Sequence, residues 1–376
     1  MKILYRYFAF TLTVLILSVI VGCSSTKSIP ENDQLFTGLS KITYTAPDRG
    51  KHFNTVQEEV EAALATAPNG SLFGSSSLRS PFPVGLWIWN EFVNDSAVSR
   101  WLLNSFGSRP VLMSWVNPEL RASVAKQVLR AHGYFRGDVG YDVITQHNPK
   151  EAKIAYKVNM DHLFTIDSIQ YNGFPAEGDS LIRATASETK LKKGEAFDVS
   201  TLDAERVRVS NLFRNNGYYY YQQSYASYLA DTLSNPGKVW LRFQEASNIP
   251  QAARRKWYIG DLDIEMRRQF GEELLDSTRR RRLTVWYNGK RTPIRVPVIL
   301  RDMKLQPGDL YNYHAHQESL SKITSSGLFS YADFTFTPRD TLGLSDTLDV
   351  KLNCVFDKPY LSLIHISEPT RRTPIS

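Results

Sequence analysis

Three constellations in this 376-residue sequence could do chemistry: a histidine pair, an arginine run and a tyrosine run. His314 and His316 form an HxH pair, but no carboxylate or cysteine stands at ligand spacing beside them. On a helix, residues two apart point away from each other, so the pair is no basis for a metal centre. Cysteine occurs only at 23 and 354, and Cys354 falls in phase with Leu348, Val350, Leu352 and Phe356, as a buried strand residue would. Asp161-His162 and Asp302 read as isolated turn or strand-end residues. No HExxH, GxSxG or Walker pattern is present. The spacing therefore supports no catalytic, cofactor or metal site, and a non-enzymatic role is expected.

The arginines at Arg279, Arg280, Arg281 and Arg282 are preceded by Arg267-Arg268 and followed by Lys290, Arg291 and Arg295, with Trp286-Tyr287 close by. Basic residues interleaved with aromatics can mark nucleic-acid binding. Export from the cytoplasm would remove that partner. Two readings stay open: a solvated insertion loop, or contact with an anionic surface, either lipid headgroups or an acidic partner, at about 1 kcal/mol per arginine. The run Tyr218–Tyr221 could stack bases or sugars. In a β-hairpin, alternate tyrosines would instead pack and face solvent, and exposed aromatics on a strand suit extended peptides.

The N-terminus reads as an address. Lys2 and Arg6 precede the apolar stretch Phe8–Val21, which is short for a membrane span and fits a signal peptide over residues 1–22. Ile20-Val21-Gly22-Cys23 matches a lipoprotein cleavage box, with Cys23 as lipid carrier; an ordinary signal peptide is the alternative. Removing residues 1–22 takes away Lys2 and Arg6, which leaves 354 residues and lowers the formal charge from +7 to +5. With 42% apolar and 22% charged residues the whole chain is globular in composition, and with Cys23 acylated no intrachain disulfide can form. The last segment, Leu361–Ser376, breaks the pattern. LSLIHISEPTR resembles a translation of sequencing-adapter DNA, so 361–376 is set aside as an artefact tail, the alternative being a genuine polar tail.

Between these ends one supersecondary unit recurs. LRAHGYF (Leu129–Phe135), FRNNGYY (Phe213–Tyr219) and ITSSGLF (Ile323–Phe329) each run a helix into a Gly-aromatic hinge, followed by strands. Val158, Phe243 and Leu352 lie 25, 26 and 25 residues past Gly133, Gly217 and Gly327. Asn117 and Pro118 read as N-cap and first helical residue, with Leu120, Val124, Val128 and Ala131 expected on the buried face. An earlier helix carries Val56, Val60, Ala63 and Leu64 on one face, ahead of the Trp-rich GLWIWNEF (Gly85–Phe92). Each unit is expected as β-α-α-β-β, with a three-stranded mixed sheet and two helices on one face, an α+β class. The expected boundaries are a polar tether over 23–34, unit 1 over 35–161 with the Trp-rich insertion, unit 2 over 162–249, and unit 3 over 250–360 with the Arg-rich insertion.

A β-α-α-β-β unit with LxxG before its second helix (LKKGEAF from Leu191, LQPGDLY from Leu305) and a Gly-aromatic hinge after it resembles the POTRA domain of the BamA/TamA outer-membrane assembly family. With the lipoprotein box, the arrangement is similar to that family's TamL-like lipoprotein branch. The resemblance covers about Cys23 to Tyr360. It implies a periplasmic POTRA region that binds unfolded outer-membrane proteins and feeds a C-terminal β-barrel, which is missing here. It also implies a TamB-like periplasm-spanning partner, and a lipid anchor in the outer membrane with the domains facing the periplasm. Client strands would add to a sheet edge by main-chain hydrogen bonds. The strands expected to do so carry Tyr219, Tyr221, Val239, Leu241 and Phe243. The alternative is a lipid-anchored scaffold or secretion component that uses such domains only for protein–protein contact.

Overall fold

The computed structural model describes residues 26–47, 49–80, 82–93, 97–340 and 345–357. The signal peptide, Cys23 and the tail from Leu361 lie outside the described residues. In the first repeat, β1 (Leu35–Thr45) leads through helices α1 (Lys51–Leu64), α2 (Val84–Phe92), α3 (Ala97–Phe106), α4 (Met113–Val116) and α5 (Pro118–Ala131) to β2 (Asp138–Thr145) and β3 (Glu151–Asn159). The strand order is β1-β3-β2, with β3 parallel to β1 and antiparallel to β2. Strict alternation decides which face packs: Ala152, Ile154, Tyr156 and Val158 of β3 are all buried, the last three against Phe53, Val56, Val60 and Leu64 of α1 and Ala122, Ala125 and Leu129 of α5.

The second repeat runs β4 (Thr165–Asn172), α6 (Ala176–Ala184), α7 (Val199–Asn215), β5 (Ala226–Asp231) and β6 (Lys238–Glu245), in sheet order β4-β6-β5. The third runs β7 (Tyr258–Arg267), β8 (Asp276–Arg280), β9 (Leu283–Tyr287), α8 (Val296–Asp302), α9 (Tyr313–Ser325), β10 (Phe329–Pro338) and β11 (Thr347–Phe356). Its sheet, β10-β11-β7-β9-β8, keeps the same three-strand arrangement, with β11 parallel to β7 and antiparallel to β10. This is the α+β, tandem β-α-α-β-β architecture expected from the sequence. The described residues divide into two compact units. One runs to Ile169 and adds Leu191–Leu202 and Ala230–Leu241; the other holds Gln170–Lys190, Asp203–Leu229 and the chain from Arg242.

Several local expectations change. Asn117 caps α5 through its side chain, which accepts from the Leu120 N–H at 3.1 Å, as read from the sequence. The core face of α5, however, is Pro118, Ala122, Ala125 and Leu129, while Leu120 and Val124 are exposed. Two alanines let α5 approach α1 closely, and that contact outweighs the larger stripe. The Arg-rich insertion is no loop: β8 and β9 form a hairpin, and β9 joins β7 in parallel through LTVWY, burying Val285. Tyr218–Tyr221 lie in a turn, ahead of a 3-10 turn at Gln223–Tyr225, and not in a hairpin strand.

The hinge glycines adopt the left-handed conformation expected of them, and two do more than end a helix. The Gly133 carbonyl accepts from Phe164 N–H at 3.0 Å, and the Phe164 carbonyl accepts from Phe197 N–H at 2.9 Å. The same pattern recurs inside the other unit: Trp257 N–H to the Gly217 carbonyl and Tyr311 N–H to the Trp257 carbonyl, both 2.8 Å. The end of each preceding helix also meets the next N-cap. Asn312 Nδ2 donates to the Asn215 carbonyl at 2.9 Å, and His132 Nδ1 meets Asp198 Oδ2 at 2.8 Å.

His132 also meets Glu59 Oε2 through Nε2 at 2.9 Å, and its carbonyl lies 2.9 Å from His52 Nε2. Burial alone would lower the imidazole pKa, but the hydrogen bonds and charges of Glu59 and Asp198 outweigh it and raise the group above its ordinary 6.5. A raised folded pKa contributes stability in full below 6.5 and loses it as pH rises through the folded value. Asp198 sets the acid limit: burial opposes, yet bonds from Ser200 and His132 hold its carboxyl below 3.8. The His132→Ala variant should lose about 1–2 kcal/mol at low neutral pH. Its unfolding midpoint should also lack the decline that the parent shows as pH rises above 6.5. Parallel pH profiles for the two proteins would contradict this account.

Candidate functional site

Strand order determines which backbone groups remain available to another chain. In the first repeat β3 is central and β2 is an edge; in the second, β6 is central and β5 an edge. Val239, Leu241 and Phe243 of β6 are buried, and the strand is paired on both sides. They cannot receive a client strand, because no backbone donors or acceptors remain to be shared. Tyr221 is buried and stacks on Phe213 at 4.4 Å, and Tyr219 packs edge-on to Tyr311 at 4.9 Å. The tyrosines thus serve as packing, with Tyr220 against Trp257 at 5.3 Å, and not as an exposed platform.

The β2 edge has the opposite character. All its residues but Val139 are exposed, and Tyr141, Val143 and Ile144 present apolar side chains. Its two carboxylates are drawn aside: Asp138 pairs with Lys126 of α5 at 2.6 Å and Asp142 with Lys157 of β3 at 2.7 Å. The Lys126 ammonium holds the Asp138 carboxyl below its ordinary range. Tyr141 and Val143 share the face of Val139, since side chains on one strand face recur every second residue. They border a groove of about 560 Å3 whose far wall includes Asn117, Pro118 and Glu119 at the start of α5. The result is an unpaired backbone edge, its own carboxylates paired off, beside a shallow groove of mixed lining in which Asp33, Gln34, Asn117 and Glu119 face Met113, Tyr141 and Val143, suited to one extended peptide.

The third sheet's far edge shows the contrast. Every residue of β8 is exposed, and it ends in Arg279-Arg280, the charged edge that discourages strand pairing. The four arginines do not act together. Arg282 Nε reaches Asp261 Oδ1 at 3.1 Å, and Arg279 lies 3.5 Å from Oδ2 of the same carboxylate, where Arg339 also converges. Burial works against ionisation of Asp261, but the bonds from Arg282 and Arg339 prevail and lower its carboxyl pKa. Arg280 and Arg281 remain as exposed cations at the hairpin tip, with Arg281 at φ +56°. Arg279 and Arg282 are thus the two of the four that Asp261 holds.

His316 sits among Tyr311, Phe334 and Phe336, and burial followed by the charge of Arg214 pushes its imidazole down to about 4. Among the described residues no three His, Cys, Asp or Glu side chains are placed to hold a metal. Cys354 is buried in β11, and burial pushes its thiol up to about 12, which leaves it no nucleophile.

No family model and no curated protein matches the chain. Among solved structures it is similar to POTRA domains 3–5 of BamA from Haemophilus influenzae: 12% identity, 87% of this chain and 99% of that one, TM-score 0.38. Similar too are POTRA domains 1–3 of Omp85 from Anabaena (14%, 88% and 98%, TM-score 0.26) and CdiB from Acinetobacter baumannii (14%, 52% and 30%, TM-score 0.20). At these scores the fold assignment rests on the strand order within each sheet and not on superposition.

Proposed function

We propose that this chain is the POTRA-type periplasmic region of an outer-membrane protein assembly or translocation factor, and that it receives extended client strands at open sheet edges. The observation that carries this reading is the β2 edge of the first repeat. Its backbone is unpaired on one side, its charges are neutralised by lateral ion pairs, and a groove of mixed polar and apolar lining borders it. Main-chain pairing at such an edge is tolerant of client sequence, which suits a factor serving many outer-membrane proteins. The resemblance of the repeat unit to the BamA/TamA family supports the same role. So does the signal sequence, which would deliver the chain to the periplasm. Within this reading Cys23 carries the lipid anchor in the outer membrane, a TamB-like protein is a partner, and a barrel follows Tyr360. Sequencing the gene beyond codon 360 tests the last point: alternating strands with aromatic girdles are expected, and an early stop codon would exclude the barrel.

Strand addition is tested by giving β2 the charged character of β8. Val143→Lys with Ile144→Lys should weaken binding of a fluorescent peptide from an unfolded barrel strand at least tenfold. Because both residues are exposed, the unfolding midpoint should hardly move. An unchanged Kd in the double variant would remove β2 as the client site.

A further inference from the structure

The first repeat carries a surface that strand addition does not use. Between Gly70 and Pro110 the sequence holds only five charged residues in 41, against 22% for the whole chain, and four of its seven tryptophans fall within Trp87–Trp115. Much of this apolar material is exposed: Phe73, Leu78, Phe82, Val84, Trp101 and Phe106 all face solvent, Trp101 at 64% and Phe73 fully. The pieces are joined. Leu72 N–H donates to the Leu78 carbonyl at 3.0 Å, and Ser80 N–H returns to Gly70 at 2.8 Å, beside Pro83 at the start of α2. Phe82 packs edge-on to Trp87 of α2. Ser108 N–H donates to the Gly85 carbonyl at 2.9 Å, which sets the end of α3 against the start of α2, and Phe106 packs on Trp101.

The chain entering this repeat is fastened to the same helix. Lys27 pairs with Glu91 at 3.2 Å, and the Ser28 N–H donates to Asn90 Oδ1 at 3.3 Å, with its hydroxyl on the same oxygen. Ile29 is buried with Leu35, Leu86 and Leu112. Ser28 is five residues from Cys23, a span of at most about 18 Å even when fully extended. An acyl group on Cys23 would therefore hold α2 at the bilayer surface.

We infer that the Leu72–Leu78 loop, α2 and α3 form a membrane-interface docking surface that lies on the bilayer carrying the Cys23 lipid. The inference rests on the lipoprotein reading of Cys23. Tryptophan and phenylalanine favour the headgroup boundary, and an interfacial helix buries its apolar face about 5–10 Å deep. No described helix is long and apolar enough to cross a membrane, so docking here is monotopic. Lipid anchor and aromatic surface together supply the two signals that stable attachment requires.

The test uses the mature-length chain carrying Cys23→Ser, so that no acyl chain contributes. It should co-sediment with vesicles of phosphatidylethanolamine and phosphatidylglycerol, and brominated acyl chains should quench its tryptophan fluorescence. Phe82→Ser, Trp101→Ser and Phe106→Ser combined should weaken partitioning at least tenfold without shifting the unfolding midpoint. No vesicle binding by the Cys23→Ser chain, or equal binding by the combined variant, would overturn docking. A vesicle-independent dimer that the same three substitutions dissolve would also overturn it, by assigning the surface to a second copy. Metabolic labelling of the unmodified chain with an alkyne fatty acid reads the Cys23 anchor by itself, so failure of the anchor and failure of docking are told apart.

Discussion

Replacing Glu205 by alanine is expected to destabilise the second repeat by about 3–5 kcal/mol, the usual cost of breaking a buried ion pair from one side. Glu205 on α7 is fully buried and its partner Arg208 nearly so. The carboxylate accepts from Arg208 twice, at 2.6 and 2.9 Å, from the Tyr171 hydroxyl at 2.8 Å and from the Lys190 N–H at 2.9 Å. Arg208 turns its remaining edge to Thr185 Oγ1 at 3.0 Å. Burial would raise the Glu205 pKa, but Arg208, Lys190 and Tyr171 overcome it and hold the group below 4.5. A depressed carboxyl pKa contributes stability present above 4.5 and lost as pH falls through the folded value, so the parent should weaken on the acid side where the variant does not. Glu205→Met with Arg208→Leu should recover part of the loss. The Tyr171 hydroxyl would keep Thr189 Oγ1 at 2.9 Å, but the Lys190 amide would still lack an acceptor, leaving a deficit of about 1–3 kcal/mol. Urea unfolding measures all three proteins; a loss below about 1 kcal/mol for Glu205→Ala would contradict the assigned role.

Gly133→Ala is expected to be far more damaging than the same change at Gly327, although both glycines end a helix with positive φ. At Gly133, φ +86°, an added Cβ would stand 2.8 Å from the Phe197 carbonyl oxygen and 3.2 Å from that of Phe164. Both are backbone atoms, and the Phe197 N–H bond to the Phe164 carbonyl ties the two peptides together, so they cannot yield as a flexible side-chain end would. Left-handed strain of about 1–2 kcal/mol then adds to about 1–3 kcal/mol of overpacking. At Gly327, φ +70°, nothing lies within 4 Å and only the first cost applies. Limited proteolysis near residues 160–164 should speed up in Gly133→Ala alone. Equal effects at the two positions would mean that both glycines are simple turn residues. The comparison bears on function because the Gly133 seat positions the strand that opens the next repeat.

The repeat was legible in the sequence because its signals are local. A positive-φ glycine after a helix, the Asn117-Pro118 start and the alternation of Ile154, Tyr156 and Val158 each follow from backbone sterics or side-chain period over a few residues. The candidate site was less so. Tyr218–Tyr221 has strand composition yet forms a turn, because Tyr219 and Tyr220 gain more by packing on Tyr311 and Trp257 than by alternating in a hairpin. The Arg-rich segment reads as a solvated loop until Asp261, some twenty residues earlier on β7, is seen to hold Arg279 and Arg282. The face that α5 buries depended on a partner helix more than fifty residues away. The charges on β2 were visible, but not that Lys126 and Lys157 neutralise them.

The sequence by itself determined the α+β class, the β-α-α-β-β core that the repeats share, and the left-handed glycines that end three of the helices. These depend on φ/ψ preference and hydrophobic period, which operate within one element. Only the tertiary structure decided which strand is central and which edge stays open. Whether a strand has one neighbour or two depends on where the last strand of each repeat inserts, beside the first. The chain from the first strand to the last of each repeat must be folded before that place exists. In the second repeat that insertion places Val239, Leu241 and Phe243 on a central strand, and in the first the insertion of β3 leaves Tyr141 and Val143 of β2 at an open edge.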